Sequence, residues 1–470
     1  MNRNLYALLA SRFPADRSKP VFRMLDGSAV TYGELEQGAG RLAALLKAKG
    51  VAVGDRIAVQ APKSVEMVML YLATLKVGAA LLPLNTAYTQ AEVNYFVGDA
   101  EPSLFVTDPV ALAAEAKDLA PLEATHEAAP EDLAAILYTS GTTGRSKGAM
   151  LSHAALAANG QALTDAWGFT EADVLLHALP IYHVHGLFIA LHCVFLAGAS
   201  AVWLPKFDDA EVLAALPRST AMMGVPTFYS RLLANPNFDR KASETIRVFI
   251  CGSAPLLPST FAEFEARTGQ RILERYGMSE AAIITSNPLN GERLAGSVGF
   301  PLPGVDWRVA DVGIVQIKGP SVTSGYWRNP GKTAEAFTAD GYFITGDIGR
   351  LDETGRLWLS GRSSDLIISG GLNVYPKEIE LVLDEMVGVV ESAVIGCPHP
   401  DFGEAVVAVV AGEGDEALMI AAARTQLAAF KAPKRVFFVE DLPRNAMGKV
   451  LKAELRRRYA GTFGASAEAG

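Results

Sequence analysis

The stretch Tyr138–Gly148, YTSGTTGRSKG, combines three glycines, five serine or threonine hydroxyls and two cations directly after the apolar run LAAIL at 133–137. Glycine reaches backbone conformations that a Cβ forbids, so a glycine-rich turn after a buried strand can direct successive N–H groups at phosphate oxygens. In a P-loop the lysine is followed by Ser or Thr, whereas Lys147 is followed by Gly148. The stretch therefore predicts a phosphate-binding loop of another kind, with a mobile surface loop as the alternative.

Helical and strand patterns alternate on both sides of this loop. Three times an apolar helical face is followed by a glycine or a short polar link, and a short apolar run comes next. These three apolar runs are RIAVQ (56–60), AALLPLN (79–85) and RILERYG (271–277). Helices that alternate with short buried strands indicate parallel sheets covered on both faces. The predicted fold class is therefore α/β, with a large N-terminal domain in which helices sandwich parallel-rich sheets.

The size and charge of the chain narrow the classes of protein and partner. A chain of 470 residues is too long for one compact core and predicts at least two domains. The formal net charge of −9 argues against nucleic acid or an anionic membrane as the main partner. Any anionic substrate must therefore be attracted by local positive charge.

The cysteines and the apolar runs predict a cytoplasmic protein. Cys193, Cys251 and Cys397 are odd in number, far apart and without metal spacing, so buried reduced thiols are expected. The N-terminal sequence MNRNLYALLASRF has only a short apolar stretch, which fits neither a signal peptide nor an anchor. The longest apolar run, Leu187–Leu204, contains a histidine and ends at Pro205, so it predicts a buried helix followed by a buried strand.

The pattern changes toward the C-terminus. From Gly341 onward short strands are separated by glycines, and DETG at 352–355 predicts a hairpin turn. After Asp365 the helix and strand patterns return in a stretch small enough to form a separate α+β domain. Earlier in the chain, residues 111–132 are rich in Ala, Glu and Pro and predict a surface connection.

Six further motifs follow the loop. They are PIYHVHG (180–186), GSAPL (252–256), ERYGMSE (274–280), YFITGDIG (342–349), GRSSDLIISGGLNVYPKEIE (361–380) and PRNAMGKV (443–450). With YTSGTTGRSKG, this ordered set resembles the acyl-adenylate-forming enzymes, the superfamily of acyl-CoA synthetases, luciferases and peptide-synthetase adenylation domains. The resemblance implies an AMP-binding N-terminal domain over 1–361 and a mobile C-terminal lid domain over 362–470. It also implies a hinge near Ser364, where relatives usually carry aspartate or lysine, so that a charge-based latch is missing here.

The resemblance implies a two-step reaction with ATP, Mg²⁺ and coenzyme A. A carboxylate attacks the α-phosphate of ATP to give an acyl-adenylate and pyrophosphate, and a thiol then displaces AMP. Two anions must first be brought together, so positive charge and positioning dominate the barrier. The implied ATP-binding residues are Thr139, Ser140, Gly141, Thr142, Thr143, Gly144, Lys147, Ser253, Ala254, Pro255, Glu274, Tyr276, Gly277, Met278, Ser279, Asp347 and Arg362.

For several of the implied site residues a purely structural role is the alternative. Glu280 is the implied Mg²⁺ ligand, a hard oxygen donor for a hard ion, with a solvated glutamate at a helix start as the alternative. Asp347 would accept hydrogen bonds from the ribose hydroxyls, with a turn aspartate as the alternative. Lys449 is the implied adenylation lysine, although most lysines lie on the surface. When the lid rotates, the implied thiol tunnel is lined by Ser369, Gly370 and Gly371.

Arg275 is the residue from which the sequence predicts the carboxylic acid that serves as substrate. It precedes the tyrosine of YGMSE at a position that lines the acyl pocket in relatives. A buried guanidinium is costly unless paired, and its planar fork matches a carboxylate. This predicts a dicarboxylic acid, malonate or a methyl-substituted malonate, and in this respect the chain resembles malonyl-CoA synthetases more than fatty or aromatic acid ligases. The alternative is that Arg275 pairs with Glu274 or another internal acid.

Other residues are expected around Arg275. Arg231 and Ser253 would complete the carboxylate clamp, although Arg231 could instead face solvent from its helix. His183 would lie on the pocket wall and is counted among the catalytic residues together with Glu280 and Lys449. A metal pair formed by His183 and His185 is rejected, because no third ligand is suitably spaced.

Other functions stay open at this point. The chain could be a CoA ligase for another short carboxylic acid, or a free-standing adenylation domain that loads a carrier protein. A non-catalytic nucleotide sensor is disfavoured by the intact Lys449, Glu280 and Asp347. The resemblance also implies a role in fatty acid metabolism and permits regulation by a lysine acetyltransferase that acts on Lys449.

Overall fold

The computed structural model describes residues 2–139, 146–311, 313–445 and 448–463. The chain forms two compact units, which are described separately below. Unit 1 consists of Met1–Leu256, Thr260–Trp307 and Ile317–Ile344, and unit 2 consists of Leu257–Ser259, Arg308–Gln316 and Thr345–Gly470.

The α-helices begin and end as follows in chain order. They are α1 (Leu5–Ala10), α2 (Tyr32–Ala48), α3 (Val65–Lys76), α4 (Gln90–Ala100), α5 (Pro109–Glu115), α6 (His153–Ala166), α7 (Leu191–Ala197), α8 (Asp209–Ala215), α9 (Pro226–Ala234), α10 (Pro258–Thr268), α11 (Pro330–Glu335), α12 (Pro376–Asp384), α13 (Glu416–Gln426) and α14 (Lys452–Tyr459). Local sequence explains where they start. At α2, for example, Thr31 and Glu34 form a capping box, in which each side chain accepts the backbone N–H of the other residue.

The strands are short, as expected for an α/β protein. They are β1 (Pro20–Arg23), β2 (Ala29–Thr31), β3 (Arg56–Val59), β4 (Ala80–Pro83), β5 (Leu104–Val106), β6 (Leu133–Thr139), β7 (Lys147–Ser152), β8 (Val174–His177), β9 (Ser200–Trp203), β10 (Ala221–Gly224), β11 (Val248–Cys251), β12 (Leu273–Met278), β13 (Ala282–Ser286), β14 (Ser297–Pro301), β15 (Asp306–Val309), β16 (Ile314–Lys318), β17 (Phe343–Leu351), β18 (Leu357–Arg362), β19 (Ile367–Ser369), β20 (Leu372–Val374), β21 (Val389–His399), β22 (Gly403–Gly412) and β23 (Arg435–Val439).

Unit 1 is built on parallel-rich sheets. One sheet has the order β5-β3-β4-β6-β7, and in the other the strands of unit 1 follow the order β14-β13-β12-β11-β10-β8-β9-β1-β2. Pairing is parallel from β12 to β1 and antiparallel at the two ends of that run. Every residue of β4, β9, β10 and β11 is buried, which is typical of parallel strands covered on both faces. The predicted α/β fold class is confirmed.

The core of unit 1 shows why these strands are continuous apolar runs. Helices α8, α9 and α10 contribute side chains to one cluster with β10 and β11, in which Tyr229 and Phe264 are fully buried. The hydroxyl of Tyr229 donates to the carbonyl of Ile250 at 2.6 Å, so the only polar atom of that side chain is satisfied. The strand ends that carry the candidate site therefore emerge from a rigid, well-packed layer.

Most of the local predictions in unit 1 are confirmed, with one correction. The three apolar runs form β3, β4 and β12, and the run 187–204 forms α7 and β9. A π-helical turn over His185–Ala190 precedes α7 and was not predicted. The interpretation of 111–132 as a connection is wrong at its start, because α5 extends to Glu115; Asp108 caps this helix and Pro109 occupies its first turn.

Unit 2 contains a third sheet, with the order β20-β19-β22-β21 and with β23 beside β22. Alternate residues of β22 face opposite sides. Val406 and Val410 pack with α12 and α13, whereas Val407 and Val409 pack with α14. The small C-terminal α+β domain is therefore confirmed, and β17 and β18 form the predicted hairpin around 352–355.

Two further expectations concern cysteines and membranes. Cys193, Cys251 and Cys397 are buried and not in disulfides, as predicted. In the described part of the chain, every helix is too short or too polar to cross a bilayer.

Candidate active site

The strands that flank the phosphate-loop motif are antiparallel neighbours. Thr139 at the end of β6 pairs with Lys147 at the start of β7. A P-loop leads from a strand into a helix, so the antiparallel pairing of β6 with β7 excludes that motif independently of the lysine position. The predicted Ser140, Gly141, Thr142, Thr143 and Gly144 lie outside the described residues.

Glu280 lies in the tight turn between β12 and β13, and only 7% of its surface is exposed. Its Oε1 atom accepts hydrogen bonds from the Thr139 hydroxyl at 3.3 Å and from the Tyr326 hydroxyl at 3.2 Å. Because strands flank it on both sides, the alternative of a solvated glutamate at a helix start is wrong. Among the described residues, no cationic side chain lies within ion-pair distance of this buried carboxylate.

Tyr326 connects Glu280 to the phosphate-loop lysine, and sequence reasoning missed it. The Nζ atom of Lys147 lies 4.4 Å from the centroid of the Tyr326 ring, at cation–π distance. The backbone of Tyr326 is fixed by its N–H bond to the Thr333 hydroxyl at 2.9 Å. A lone tyrosine far from both partners in sequence carries no local signal, so only the folded chain identifies it.

Arg275 lies on β12 with 4% of its surface exposed. Its Nε and Nη2 atoms have no hydrogen-bond partner among the described residues. The guanidinium packs on Gly252, where a Cβ would lie 2.6 Å from Cζ, so glycine is required for this approach. Burial lowers the pKa of Arg275 to about 10. The group stays cationic at neutral pH, and no acidic side chain among the described residues neutralises it.

Two histidines and a serine lie beside this guanidinium. The backbone N–H of His185 donates to Nδ1 of His183 at 3.2 Å, and Nδ1 of His185 lies 3.3 Å from the Ser253 hydroxyl. Burial, and next the charge of Arg275, lower the pKa of His183 to about 4, and the same two causes hold the pKa of His185 well below its usual range. Both imidazoles are therefore neutral hydrogen-bonding groups at physiological pH.

The structure brings together some of the predicted pocket residues but not all. Arg275, Ser253 and His183 lie together, and His185 joins them, although the sequence considered His185 only as a rejected metal ligand. Internal pairing of Arg275 with Glu274 is not seen, since the Glu274 carboxylate accepts the N–H of Gly296 at 3.0 Å instead.

Arg231 is not shown as part of this cluster. It lies on α9 with its side chain exposed, so its place in a carboxylate clamp stays a prediction.

The predicted adenine-side residues continue the same strands. Ser253, Ala254 and Pro255 follow β11, and Ser253 adopts the left-handed region with φ 73°, which is uncommon for a residue with a Cβ. Tyr276 is buried on β12, and Gly277 allows β13 to approach, because a Cβ there would lie 1.9 Å from the carbonyl oxygen of Ala282. Met278 and Ser279 follow at the partly buried end of the strand.

Within unit 2, Asp347 and Arg362 are direct neighbours across the β17–β18 hairpin. Their register partners are each other, and Nε of Arg362 lies 2.9 Å from Oδ1 of Asp347. Lys449 belongs to the same surroundings, because both charges influence its pKa. Burial by nearby atoms is the largest cause of the lowered pKa of Lys449, Arg362 adds to it, and Asp347 opposes it. The Lys449 side chain nevertheless remains exposed, so it is accessible to a ligand.

The predicted hinge and tunnel residues occupy two tight turns. Ser364 is exposed in a short 3₁₀ turn over Ser363–Asp365, and the next residue, Asp365, pairs with Arg456 at 2.6 Å. Gly370 and Gly371 connect β19 and β20 with φ 59° and 78°, the conformation of a two-residue hairpin turn. An ion pair therefore exists beside the predicted hinge residue, although Ser364 itself is uncharged.

Two family models match the chain in sequence order. The AMP-binding enzyme model covers residues 9–327, and the AMP-binding enzyme C-terminal domain model covers residues 378–449. The chain belongs to the AMP-binding enzyme family. The predicted membership in the adenylate-forming superfamily is thus confirmed.

Relatives within the AMP-binding enzyme family differ in the acid that they are named for. A malonate–CoA ligase from Arabidopsis thaliana is 34% identical over 92% of this chain and 85% of its own length. A sulfoacetate–CoA ligase from Cupriavidus necator is 34% identical over 96% of this chain and 97% of its own length. The crystal structure of ATP-bound MatB from Rhodopseudomonas palustris is 49% identical, covers 98% of this chain and 100% of that chain, and superposes with a TM-score of 0.95.

Proposed function

We propose that the protein is an ATP-dependent malonyl-CoA synthetase. It joins malonate, or a methyl-substituted malonate, to coenzyme A and releases AMP and pyrophosphate, with an acyl-adenylate as the intermediate. The AMP-forming acid–thiol ligase class follows from the family and from the CoA ligases among its relatives. The observation that supports the choice of acid is the buried Arg275, which lacks a counterion among the described residues.

The energetics of Arg275 favour a substrate that carries a second anion. Leaving a buried charge uncompensated costs about 3–5 kcal/mol. A folded protein tolerates such a cost where a ligand removes it, and a guanidinium binds a carboxylate through two parallel N–H···O bonds. Ser253 and the neutral His183 and His185 add polar groups that are not charged competitors for that carboxylate.

The residues around Glu280 fit a magnesium ion. Glu280 is a buried carboxylate without a cationic side-chain partner among the described residues, and Thr139 and Tyr326 both donate to the same oxygen atom, which fixes its orientation. When bound, Mg²⁺ would neutralise the phosphate oxygens of ATP on the side where charge develops. Lys147, beside Tyr326, adds a second positive charge to the same region.

Lys449 is proposed as the lysine of adenylate formation. Its exposed ammonium can donate to both the incoming carboxylate and the α-phosphate, which reduces the repulsion between the two anions. Asp347, with Arg362 beside it, presents carboxylate oxygens suited to the ribose hydroxyls. The lid domain over 362–470 is then proposed to rotate at Ser364, so that Ser369, Gly370 and Gly371 line the path of the CoA thiol.

The deciding experiment measures AMP formation with ATP, Mg²⁺ and CoA across a panel of acids. The panel contains acetate, butyrate, benzoate, malonate, methylmalonate, succinate and sulfoacetate. A strong preference for malonate supports the proposal. Preference for acetate, butyrate or benzoate contradicts it and makes Arg275 a structural residue, although the ligase class stands.

Sulfoacetate is a second candidate substrate, since it also carries a second anionic group and one relative is named a sulfoacetate–CoA ligase. A sulfonate has three acceptor oxygens around a tetrahedral sulfur, whereas a carboxylate is planar, so the two acids test the shape of the Arg275 site separately. Replacing CoA by a carrier protein in the same assay separates a CoA ligase from a free-standing adenylation domain.

Three further assignments are proposals, the first from the cysteines and the apolar runs and the other two from the resemblance. They are a cytoplasmic location, a role in fatty acid metabolism and control of Lys449 by a lysine acetyltransferase. The exposure of Lys449 is compatible with acetylation. Loss of adenylation on treatment with an acetyltransferase, and its recovery with a deacetylase, would support that control.

A further inference from the structure

Lys63 is a lysine without an acidic partner in the part of the chain that the structure describes. It lies just before α3, and its Nζ atom is 2.7 Å from the carbonyl oxygen of His177, 2.6 Å from that of Leu204 and 2.7 Å from Nδ1 of His177. The same atom lies 4.1 Å from the centroid of the Trp203 ring. An ammonium has three donors, and here all three have acceptors, which favours the charged form, although burial holds the pKa of Lys63 well below its usual range.

The neighbours of Lys63 determine which nitrogen of His177 carries the proton. Nε2 of His177 lies 2.9 Å from the carbonyl oxygen of Gly186, which can only accept. Nε2 must therefore be protonated, and Nδ1 must accept from Lys63, since burial and then the charge of Lys63 keep the pKa of His177 well below its usual range. Lys63 thus orients the imidazole ring, and the ring in turn holds the carbonyl of Gly186.

The hydrogen bonds from Lys63 to His177 and from His177 to Gly186 form a relay, and Gly186 joins this relay to the proposed acid pocket. It lies in the π-helical turn directly after His185, and a Cβ at this position would lie 2.1 Å from the carbonyl oxygen of Pro180. The segment 180–186 is therefore folded tightly on itself. Gly186 is bonded directly to His185 within this tightly packed segment, and Nδ1 of His185 lies 3.3 Å from the Ser253 hydroxyl.

We propose that Lys63 is a positioning residue for the acid pocket, acting through His177 and Gly186 on His185. Its described contacts are with His177, Leu204 and Trp203, so the proposed effect on the pocket is transmitted through His177. The inference rests on the proposed acid pocket around Arg275, and it adds a specificity-determining residue that lies far from the pocket motifs in sequence.

The test compares Lys63→Met with Lys117→Met, an exposed lysine of unit 1 that serves as the matched control. Adenylate formation is followed as pyrophosphate release, with malonate and ATP varied separately. Lys63→Met is expected to raise the KM for malonate about tenfold, which corresponds to one net hydrogen bond, and to leave the KM for ATP unchanged. An unchanged malonate KM, or an equal rise of both KM values, overturns the proposal.

Two substitutions of His177 test whether its hydrogen bond to Gly186, and not only the packing of its ring, affects the KM for malonate. The amide nitrogen of Gln can take the place of Nε2 and still donate to Gly186, whereas Asn reaches only the Nδ1 position. His177→Gln is therefore expected to keep a malonate KM close to that of the unmodified enzyme, and His177→Asn is expected to match Lys63→Met. If both variants behave alike, the relay through Gly186 is wrong.

The failure of this inference is distinguishable from failure of the proposed function. If malonate is not the substrate, the unmodified enzyme itself gives no pyrophosphate release with malonate. The inference fails only where the unmodified enzyme turns malonate over and the Lys63 and His177 variants do not show the expected split.

Discussion

The charged side chains Arg275 and Glu280 in unit 1 differ in their partners from the charged side chains around Lys449 in unit 2. Arg275 and Glu280 are 4% and 7% exposed, and neither has an oppositely charged partner among the described residues. In unit 2 the charges near Lys449 are matched, as Arg362 pairs with Asp347 at 2.9 Å and Arg456 with Asp365 at 2.6 Å.

The difference is the one expected between proposed ligand-binding residues and residues that only hold the fold together. A buried unpaired charge is costly, so it persists where a bound ion or substrate supplies the counter-charge. A matched pair near the surface contributes little stability but fixes the geometry of the side chains that it joins. Lys449 differs from both kinds, since its side chain is exposed and forms no ion pair with the residues that the structure describes, which suits its proposed role as a donor to ligands.

The largest expected effect is that of Lys449→Ala. The variant should lose about a thousandfold in the rate of adenylate formation, because no other donor replaces its ammonium between two anions. Thiolysis of a supplied malonyl-adenylate should be retained. The measurement pairs pyrophosphate release with AMP release from that adenylate, and Arg457→Ala, an exposed cation on α14, is the control. Equal loss of both half-reactions would contradict the assigned role.

The pH profile of the same step tests the lowered pKa of Lys449. A lysine with a depressed pKa loses its proton at lower pH than an ordinary lysine, whose pKa is about 10.4. The adenylation rate should therefore fall on the alkaline side at a pH below that value. Lys449→Arg should remove this alkaline limb, because arginine stays protonated throughout the range.

The next effect in size is that of Glu280→Gln. Glutamine keeps the shape and can still accept from Thr139 and Tyr326, but it has no charge to bind a cation. We expect about a ten- to hundredfold loss of apparent Mg²⁺ affinity in the adenylation assay. Glu127→Gln, on an exposed segment of the same unit, is the control. Unchanged Mg²⁺ dependence would mean that the metal is held elsewhere.

Arg275→Met should separate function from stability. It removes a buried cation that lacks a partner among the described residues, so we expect the free energy of unfolding to rise by about 1 kcal/mol. The KM for malonate should rise about tenfold to hundredfold, which corresponds to the loss of charged hydrogen bonds, while that for butyrate should not rise. Arg23→Met, an exposed arginine on β1, is the control, and Arg231→Met tests whether that residue belongs to the clamp. A destabilised Arg275→Met would show that the charge has an internal partner.

The fold was largely predictable because its signals are local. Continuous apolar runs of four or five residues became parallel strands with buried centres, and their spacing by helices set the α/β class. The missed α5 shows the limit of composition, since an Ala- and Glu-rich stretch suits a helix as well as a connection once Asp108 and Pro109 start it.

The candidate site was predictable only where motif residues carry it. Resemblance and charge brought Arg275, Ser253 and His183 together in the sequence analysis, and these three side chains lie close to one another in the structure, while their role as an acid pocket stays a proposal. Tyr326 and Lys63 were missed because their partners, Glu280 and His177, are distant in sequence and meet them only after folding. Residues of this kind act through long-range hydrogen bonds, for which a single sequence offers no periodicity or spacing.

The smallest expected effect is a difference between the units in mild acid. Burial lowers the pKa of His153 and His183 in unit 1 to about 4 and that of His192 to about 3, so these groups stay neutral in the folded state while the unfolded chain binds protons below pH 6.5. Each should therefore remove about 1 kcal/mol of stability between pH 7 and 5.5. In unit 2, burial raises the pKa of Asp384 to about 6, and the effect on stability has the opposite sign, because the folded state binds the proton first and gains stability as the pH falls.

Amide hydrogen exchange at pH 7 and 5.5, corrected for intrinsic rates, measures both effects. The amides of α6 should be less protected at pH 5.5, and those of α12 should be protected at least as well as at pH 7. The variant Asp384→Asn should abolish the pH-dependent gain in α12. Equal loss of protection in both helices would mean that the units do not differ in how burial shifts their titrating groups.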